Sequence, residues 1–251
     1  MKVEVVQSPN FNARREPVSL LILHYTGMES GEAALERMCD PASEVSAHYM
    51  VWEDGRVTQL VGEDKRAWHA GLSSWHGQTD LNSRSVGIEI VNGGHDVPLE
   101  DGRLPPYPRP QIHALIELCN GITDRFDIHP MRILGHSDIA PQRKRDPGEH
   151  FPWERMARAG IGLWPPETFS SEPATMMGKG LEPGVTSASV ERLQIALSKI
   201  GYAVSQTGTY DAETEAVVTA FQRRWLPDQV TGNADIRTLA RIGVISSAPT
   251  D

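Results

Sequence analysis

The chain has 251 residues, 39% of them hydrophobic and 23% charged, and carries a formal net charge of −9. That length accommodates one medium domain plus something smaller, with a core of ordinary globular composition. The acidic balance, with no extended basic run, excludes a nucleic-acid backbone as partner, and no stretch approaches the ~20 apolar residues of a membrane span.

Residues Met1 to Asn10 contain no apolar export-type segment, so a soluble, cytoplasmic protein is expected. Pro17 to Thr26 is an almost continuous apolar run that includes His24, which reads as a central strand. Gly31 to Met38 reads as a short helix, closed near Asp40-Pro41. Ser46–Trp52 and Val57–Val61 flank Glu53-Asp54-Gly55-Arg56, an Asp-Gly hairpin signal. Trp68-His69-Ala70-Gly71 leads into a Ser-, Gly- and Asn-rich loop, and Ser85–Asn92 is a further strand with Glu89 in its apolar middle. After a Gly- and Pro-rich loop over 93–110, Gln111 to Phe126 shows helical spacing at Ile112, Leu115, Ile116 and Leu118. Met131 to Leu134 is a short buried strand running into His136, and the stretch from Gly135 to Gly148 has loop composition. Five strand candidates interleaved with helices predict an α/β domain with a mixed sheet.

Residues 164–184 read as a linker, dividing the chain into a catalytic unit over 1–163 and a small helical unit over 185–251. In the latter, Val190, Leu193, Leu197 and Ile200 share one helical face, and Asp211 is a good N-cap for a second helix carrying Val217, Phe221 and Trp225. Asn233 is expected to cap a third helix with Ile236 and Leu239. Cys39 and Cys119 form no CxxC pair and read as buried small hydrophobes rather than a disulfide.

Catalytic zinc takes three protein ligands, usually His with Asp, Glu or Cys, and leaves a position for water. His24 and His136 each end an apolar strand run, and Asp146 lies ten residues beyond His136, far enough for a loop to return. Either histidine alone reads equally well as a structural residue; the two together with a following carboxylate point to a metal site. Glu89 is an expensive charge for a strand interior unless it faces a polar cleft, where it would serve as general base; a solvent-facing edge glutamate is the alternative. Lys144 shares a face with Asp146 on an extended loop and suits an oxyanion, although Arg143 and Arg145 fit equally a solvated basic loop. His48 reads as structural or as a support behind a ligand, His69 as placed to touch substrate, and Asp138 as a support for the loop or for a ligand imidazole.

Leu23-His24-Tyr25-Thr26, Ser46-Ala47-His48-Tyr49, Ala67-Trp68-His69-Ala70-Gly71, Leu81-Asn82, Ser85–Glu89 and Gly135–Pro141 through Lys144, Asp146-Pro147-Gly148 and Phe151-Pro152-Trp153 resemble, in order, the zinc N-acetylmuramoyl-L-alanine amidases of the amidase-2 family. The likeness covers roughly residues 15–160 and looks closest to the branch that accepts 1,6-anhydromuramoyl peptides. Residues 185–242 resemble the peptidoglycan-binding domain 1 module through Leu193-Gln194, Gly201-Tyr202, Gly208, Tyr210-Asp211, Thr214 and Ala220-Phe221-Gln222. They depart from it at Trp225-Leu226-Pro227-Asp228-Gln229, where a Gly- and Leu-rich turn is expected.

The resemblance implies a mixed central sheet flanked by helices plus a three-helix C-terminal unit. It also implies Zn2+ held by His24, His136 and Asp146, Glu89 as base and Lys144 as oxyanion stabiliser. Asp146 and Ala47 stand where phage and innate-immune relatives carry a cysteine ligand and a tyrosine, which marks the Asp-ligand, Glu-base type. The implied substrate is peptidoglycan or a soluble muropeptide, touched by His69, Trp68, Asn82 and Arg66, with the protein acting as a monomer. The alternative is a recognition protein that binds such fragments on the same fold without cleaving them. A zinc D-Ala-D-Ala peptidase fails on motif, because the His48 region lacks that family's paired His and Asp.

Overall fold

Two strands with strictly divided faces organise the molecule. On β3 (Leu20–Tyr25), Leu21 and Leu23 enter one apolar cluster while Leu20 and Ile22 enter another on the opposite side. On β7 (Ser85–Ile90), Val86, Ile88 and Ile90 join the first cluster, leaving Ser85, Gly87 and Glu89 on the other face. Side chains alternate along a strand, so His24 and Glu89, paired in register, project to the same side.

The computed structural model describes residues 2–165 and 180–248. Besides β3 and β7, the main sheet contains β1 (Val3–Val5), β4 (Tyr49–Val51), β5 (Val57–Gln59) and β8 (Ile133–Gly135), in the order β1-β5-β4-β7-β3-β8. The β4–β5 pair is antiparallel and the others parallel, so the sheet is mixed as expected. Trp52 and Arg56 close the Asp-Gly hairpin, with Gly55 at φ +90°. A second small sheet pairs β2 (Phe11–Ala13) with β6 (Lys65–Ala67). The strands β1, β2 and β6 escaped the sequence reading because they are largely exposed and, unlike the equally short β4, β5 and β8, carry no buried apolar run.

The helix α1 (Gly31–Cys39) is capped by Ser30, and the four-residue α2 (Leu81–Arg84) precedes β7. The long α3 (Arg109–Phe126) lays Ile112, Leu115, Leu118 and Ile122 against the Val86 face of the sheet. Cys119 is buried there as a free thiol, and Cys39 is free as well. The stretch after His136, expected to be loop throughout, begins with a short helix, α4 (His136–Ile139). Its cause is local: the Asp138 carboxylate accepts from the Gly135 N–H and closes the first turn. Helix α5 (Trp153–Arg158) follows.

The C-terminal unit contains α6 (Ala188–Ile200), α7 (Ala212–Trp225) and α8 (Ile236–Ser246). Asp211 caps α7 as expected, but α8 is capped by Asp235 rather than Asn233, because Asp235 Oδ1 accepts from the Thr238 N–H at 2.8 Å. Residues 166–179 of the expected linker lie outside the described residues. The described ends of that segment are packed: Trp164 stacks on Trp225 at 6.2 Å, and Leu181 bridges to Ala234. One apolar cluster runs from Leu20, Ile22 and Leu134 of the sheet through Trp75 to Val190, Tyr202, Phe221 and Trp225 of the helices. No helix among the described residues is long and apolar enough to cross a membrane.

The helical unit is latched twice by the same device. Gln194 accepts from the Gly208 N–H and donates to the Thr209 carbonyl and the Thr214 hydroxyl. Gln222 accepts from Thr231 and Gly232 and donates to the Asn233 carbonyl and the Thr238 hydroxyl. Both amides are fully buried, so an apolar replacement strands several polar groups without water. Gln194→Met and Gln222→Met should each lower stability by about 2–3 kcal/mol, read as a fall in the urea midpoint at unchanged slope.

Candidate active site

At the ends of β3 and β8 three side chains converge. His24 Nδ1, His136 Nδ1 and Asp146 Oδ2 form a triangle with every edge 3.0 Å. All three residues are buried. His24 comes from β3, His136 opens α4, and Asp146 is returned by the following loop, whose Asp146 carbonyl accepts from the Ser137 N–H.

The hydrogen bonds around the triangle fix where its protons are. Ser85 donates its hydroxyl to the Leu81 carbonyl at 2.6 Å, so toward the His69 Nε2, 3.2 Å away, its oxygen can only accept. His69 therefore bears its proton on Nε2, and its Nδ1 accepts from His24 Nε2 at 3.0 Å. That leaves His24 Nδ1 bare. His136 Nε2 faces the Ala70 carbonyl at 3.1 Å, which has no proton to give, so in the neutral, metal-binding form of the ring the proton sits on Nε2 and His136 Nδ1 is bare as well. Two imidazole lone pairs and a carboxylate oxygen thus share one small space with no hydrogen among them.

Such a donor set fits a cation. Ligand atoms around tetrahedral zinc at about 2.0–2.1 Å lie about 3.3 Å apart, close to the edges found here. Among the described residues this is the group of His, Cys, Asp and Glu side chains whose ligand atoms are near enough to hold a metal ion. Burial, reinforced by His136, pushes the His24 imidazole down to about 4, which keeps it neutral and available as a ligand.

Glu89 faces the same space from β7. Its Oε2 is buried without a hydrogen-bond partner, and burial, with the Asp146 charge adding to it, holds its carboxyl well above the usual range while Lys144 opposes. These groups open on a cavity of about 370 Å³. Its charged rim carries Arg143, Lys144 and Arg145, and its facing wall is built from Met28, Ala34, Met38, Val45 and Trp68, with Arg37 beside them.

Of the residues singled out from sequence, His136, Asp146, Glu89, Lys144 and Trp68 line this cavity, His24 joins His136 and Asp146 in the triangle, and the others are placed elsewhere or differently. His69 borders the cavity, yet both ring nitrogens are engaged, one of them by His24, so it supports a candidate ligand rather than standing free for substrate. Asn82 and Arg66 do not line the cavity. Asn82 Oδ1 accepts from the His69 and Ala70 N–H groups, and Arg66 is held by Asp80. His48 is fully buried, accepting from the Gly87 N–H and facing the Lys65 carbonyl, and meets His69 only ring to ring at 5.6 Å. Asp138 touches no ligand imidazole; its carboxylate is taken by Gly135, Arg224 and Tyr202.

Sequence reasoning missed Ser85 and Gly87. Gly87 is needed because a Cβ there would lie 2.4 Å from the His69 ring. Their signal was the alternation of small or polar with apolar residues along β7, hidden within an apparently uniform strand.

Comparison with known proteins agrees with this geometry. The model of the N-acetylmuramoyl-L-alanine amidase family matches residues 14–149, and that of a peptidoglycan binding domain matches residues 186–242. The chain is 37% identical over 230 residues to the N-acetylmuramoyl-L-alanine amidase AmiD of Escherichia coli, covering 89% of this chain and 80% of that protein. It is 35% identical over 170 residues to the 1,6-anhydro-N-acetylmuramyl-L-alanine amidase AmpD of Haemophilus influenzae, which covers 60% of this chain and 88% of that one. Among solved structures, the Escherichia coli AmiD complex with anhydro-N-acetylmuramic acid-L-Ala-D-gamma-Glu-L-Lys superposes with a TM-score of 0.73 at 33% identity, over 92% of this chain and 90% of that one. AmpDh3 of Pseudomonas aeruginosa in complex with anhydromuramic pentapeptide gives 0.76 at 35% identity, over 89% of each chain. With the buried triangle and Glu89 inside the matched segment, the chain belongs to the N-acetylmuramoyl-L-alanine amidase family.

Proposed function

We propose that the chain is a zinc-dependent amidase that hydrolyses the bond between the lactyl group of N-acetylmuramic acid, or its 1,6-anhydro form, and the L-alanine of the stem peptide, in cell-wall turnover or recycling. The observation that carries this reading is the meeting of two bare imidazole nitrogens and a carboxylate oxygen at 3.0 Å beside a glutamate whose Oε2 is buried and unpartnered. Relatives of similar fold hold anhydromuramoyl peptides, and that substrate class is carried over to this cavity.

His24, His136 and Asp146 would hold the metal. Bound there, zinc supplies a Lewis acid that acidifies water and polarises the scissile carbonyl. Glu89 takes the proton of the attacking water and returns it to the amide nitrogen as that departs. Its lack of any other partner leaves it free to do both. Lys144, on the cavity rim, brings a positive charge to the developing oxyanion. Trp68, Met28 and Met38 offer an apolar surface to the sugar or its lactyl arm.

Three outcomes follow. Purified protein given 1,6-anhydromuramoyl tripeptide should release free tripeptide by mass spectrometry; a chelator should abolish release and added zinc should restore it. Full activity of rigorously metal-free protein overturns the reading. Glu89→Gln should lower kcat by about 10²–10⁴-fold while leaving zinc content, measured by elemental analysis, unchanged. Protons compete with zinc for the imidazoles, and the His24 ring lies down at about 4. Zinc should accordingly be held at neutral pH and lost as the medium is acidified and protons displace it from the ligands, a profile read from metal content after dialysis.

A further inference from the structure

We propose that the C-terminal helices form part of the support that holds His136 in its ligating pose: Arg224 and Tyr202 grip Asp138 and, through it, the helix start that carries the imidazole. This inference rests on the reading of His24, His136 and Asp146 as zinc ligands, and it gives Arg224, Tyr202 and Asp138 the role of positioning residues.

The contact is specific. Asp138 Oδ2 accepts from Arg224 Nη1 at 2.7 Å and from the Gly135 N–H at 2.8 Å, while Oδ1 accepts from the Tyr202 hydroxyl at 2.7 Å. The other arm of the Arg224 guanidinium donates to the Ile133 carbonyl at 2.7 Å. Arg224 thus spans β8 and α4, the two elements on either side of the Gly135–His136 junction. Its guanidinium lies 4.4 Å from the Trp153 ring centre and 4.6 Å from that of Trp225, which leaves it little freedom to swing. Both charged side chains are buried, at 4% and 1% exposure.

A four-residue helix has no stability of its own, so the direction of α4 is set by what it touches. A second line of contacts reaches His136 from the same helices. His76 donates its N–H to the Gly201 carbonyl, and Trp75 packs edge-on against Tyr202 at 5.0 Å. The Ser74 N–H beside them donates to the Ile139 carbonyl at the end of α4, and Ala70 at the start of this loop receives the His136 Nε2 proton. The helix under the imidazole and the loop that fixes its tautomer are therefore both braced by the C-terminal unit. Adhesion alone is served as well by apolar side chains, whereas a forked, charge-assisted pair fixes direction.

The test uses the full chain with Tyr202→Phe, Asp138→Asn and Arg224→Met, and Gln194→Met as a control that loosens the same helices without touching Asp138. Zinc affinity is measured by competition with a chromogenic chelator, and hydrogen exchange at residues 135–140 is followed in zinc-free protein. We expect zinc affinity to fall by about tenfold in Asp138→Asn and Arg224→Met and by less in Tyr202→Phe. Exchange at 135–140 should quicken in all three, and by more than in Gln194→Met, whose zinc affinity should match wild type. Folded variants that bind zinc as wild type does, with unchanged exchange, overturn the inference. If Arg224→Met does not fold, Tyr202→Phe, which loses a single hydroxyl, decides alone. Wild-type protein that binds no zinc would sink this inference and the metal reading together; bound zinc with indifferent variants would sink only this one.

Discussion

Three acceptor atoms pressed to 3.0 Å with no proton among them are mutually repulsive until a cation joins them, and the surrounding structure exists to keep them there. The constraint is imposed by groups that can take a hydrogen bond in only one direction. A peptide carbonyl has no proton to give, so a relay that ends on the Leu81 carbonyl must run from His24 through His69 and Ser85 without reversal. The Ala70 carbonyl does the same for His136 in one step. Asn82 in turn holds the His69–Ala70 backbone through both N–H groups, so one side-chain amide steadies both relays. Expected from sequence to touch substrate, it serves one layer further back.

The sheet makes this arrangement affordable by separating its faces. Val86, Ile88 and Ile90 bury against α3, and the alternate positions of the same strand are released for a hydroxyl, a bare backbone and a carboxylate. Gly87 lets the His69 ring lie flat on the strand, and His48 accepts the Gly87 N–H to seal the adjoining backbone. Glu89 is then the carboxylate of this face, its buried Oε2 without a protein partner, a cost of the size that active sites retain for proton transfer.

Much of this was legible in the sequence where chemistry is carried by adjacent residues. The strand runs ending at His24 and His136, the Asp-Gly hairpin, the cap at Asp211 and the close of α1 near Asp40 all announced themselves locally. His24, Glu89, His136 and Asp146 stood out because a polar group beside an apolar strand needs a reason. What stayed hidden depends on pairs distant in the chain. His69 meets His24 across 45 residues and Asp138 meets Arg224 across 86, and no period or spacing encodes either. Arg66 was misjudged for a related reason: its partner, Asp80, arrives through a loop whose course only the fold decides. The cap of α8 moved from Asn233 to Asp235 by two residues, the usual reach of uncertainty where several capping side chains crowd one turn.

Asp138 shows how far a residue near a functional motif can serve the fold at large. Two positions after His136, it was open to reading as a support for that imidazole, yet its carboxylate turns away and collects an arginine from α7 and a tyrosine from just past the end of α6, more than 60 residues on. A buried carboxylate of this kind is tolerated when both of its oxygens are paired, and here the three donors come from three segments distant in the chain. The apolar cluster shared by Leu20, Ile22 and Leu134 with Tyr202, Phe221 and Trp225 supplies the adhesion between these parts. Because adhesion is already provided, the polar contact is left with a different task, the orientation of the short helix on which one corner of the triangle stands.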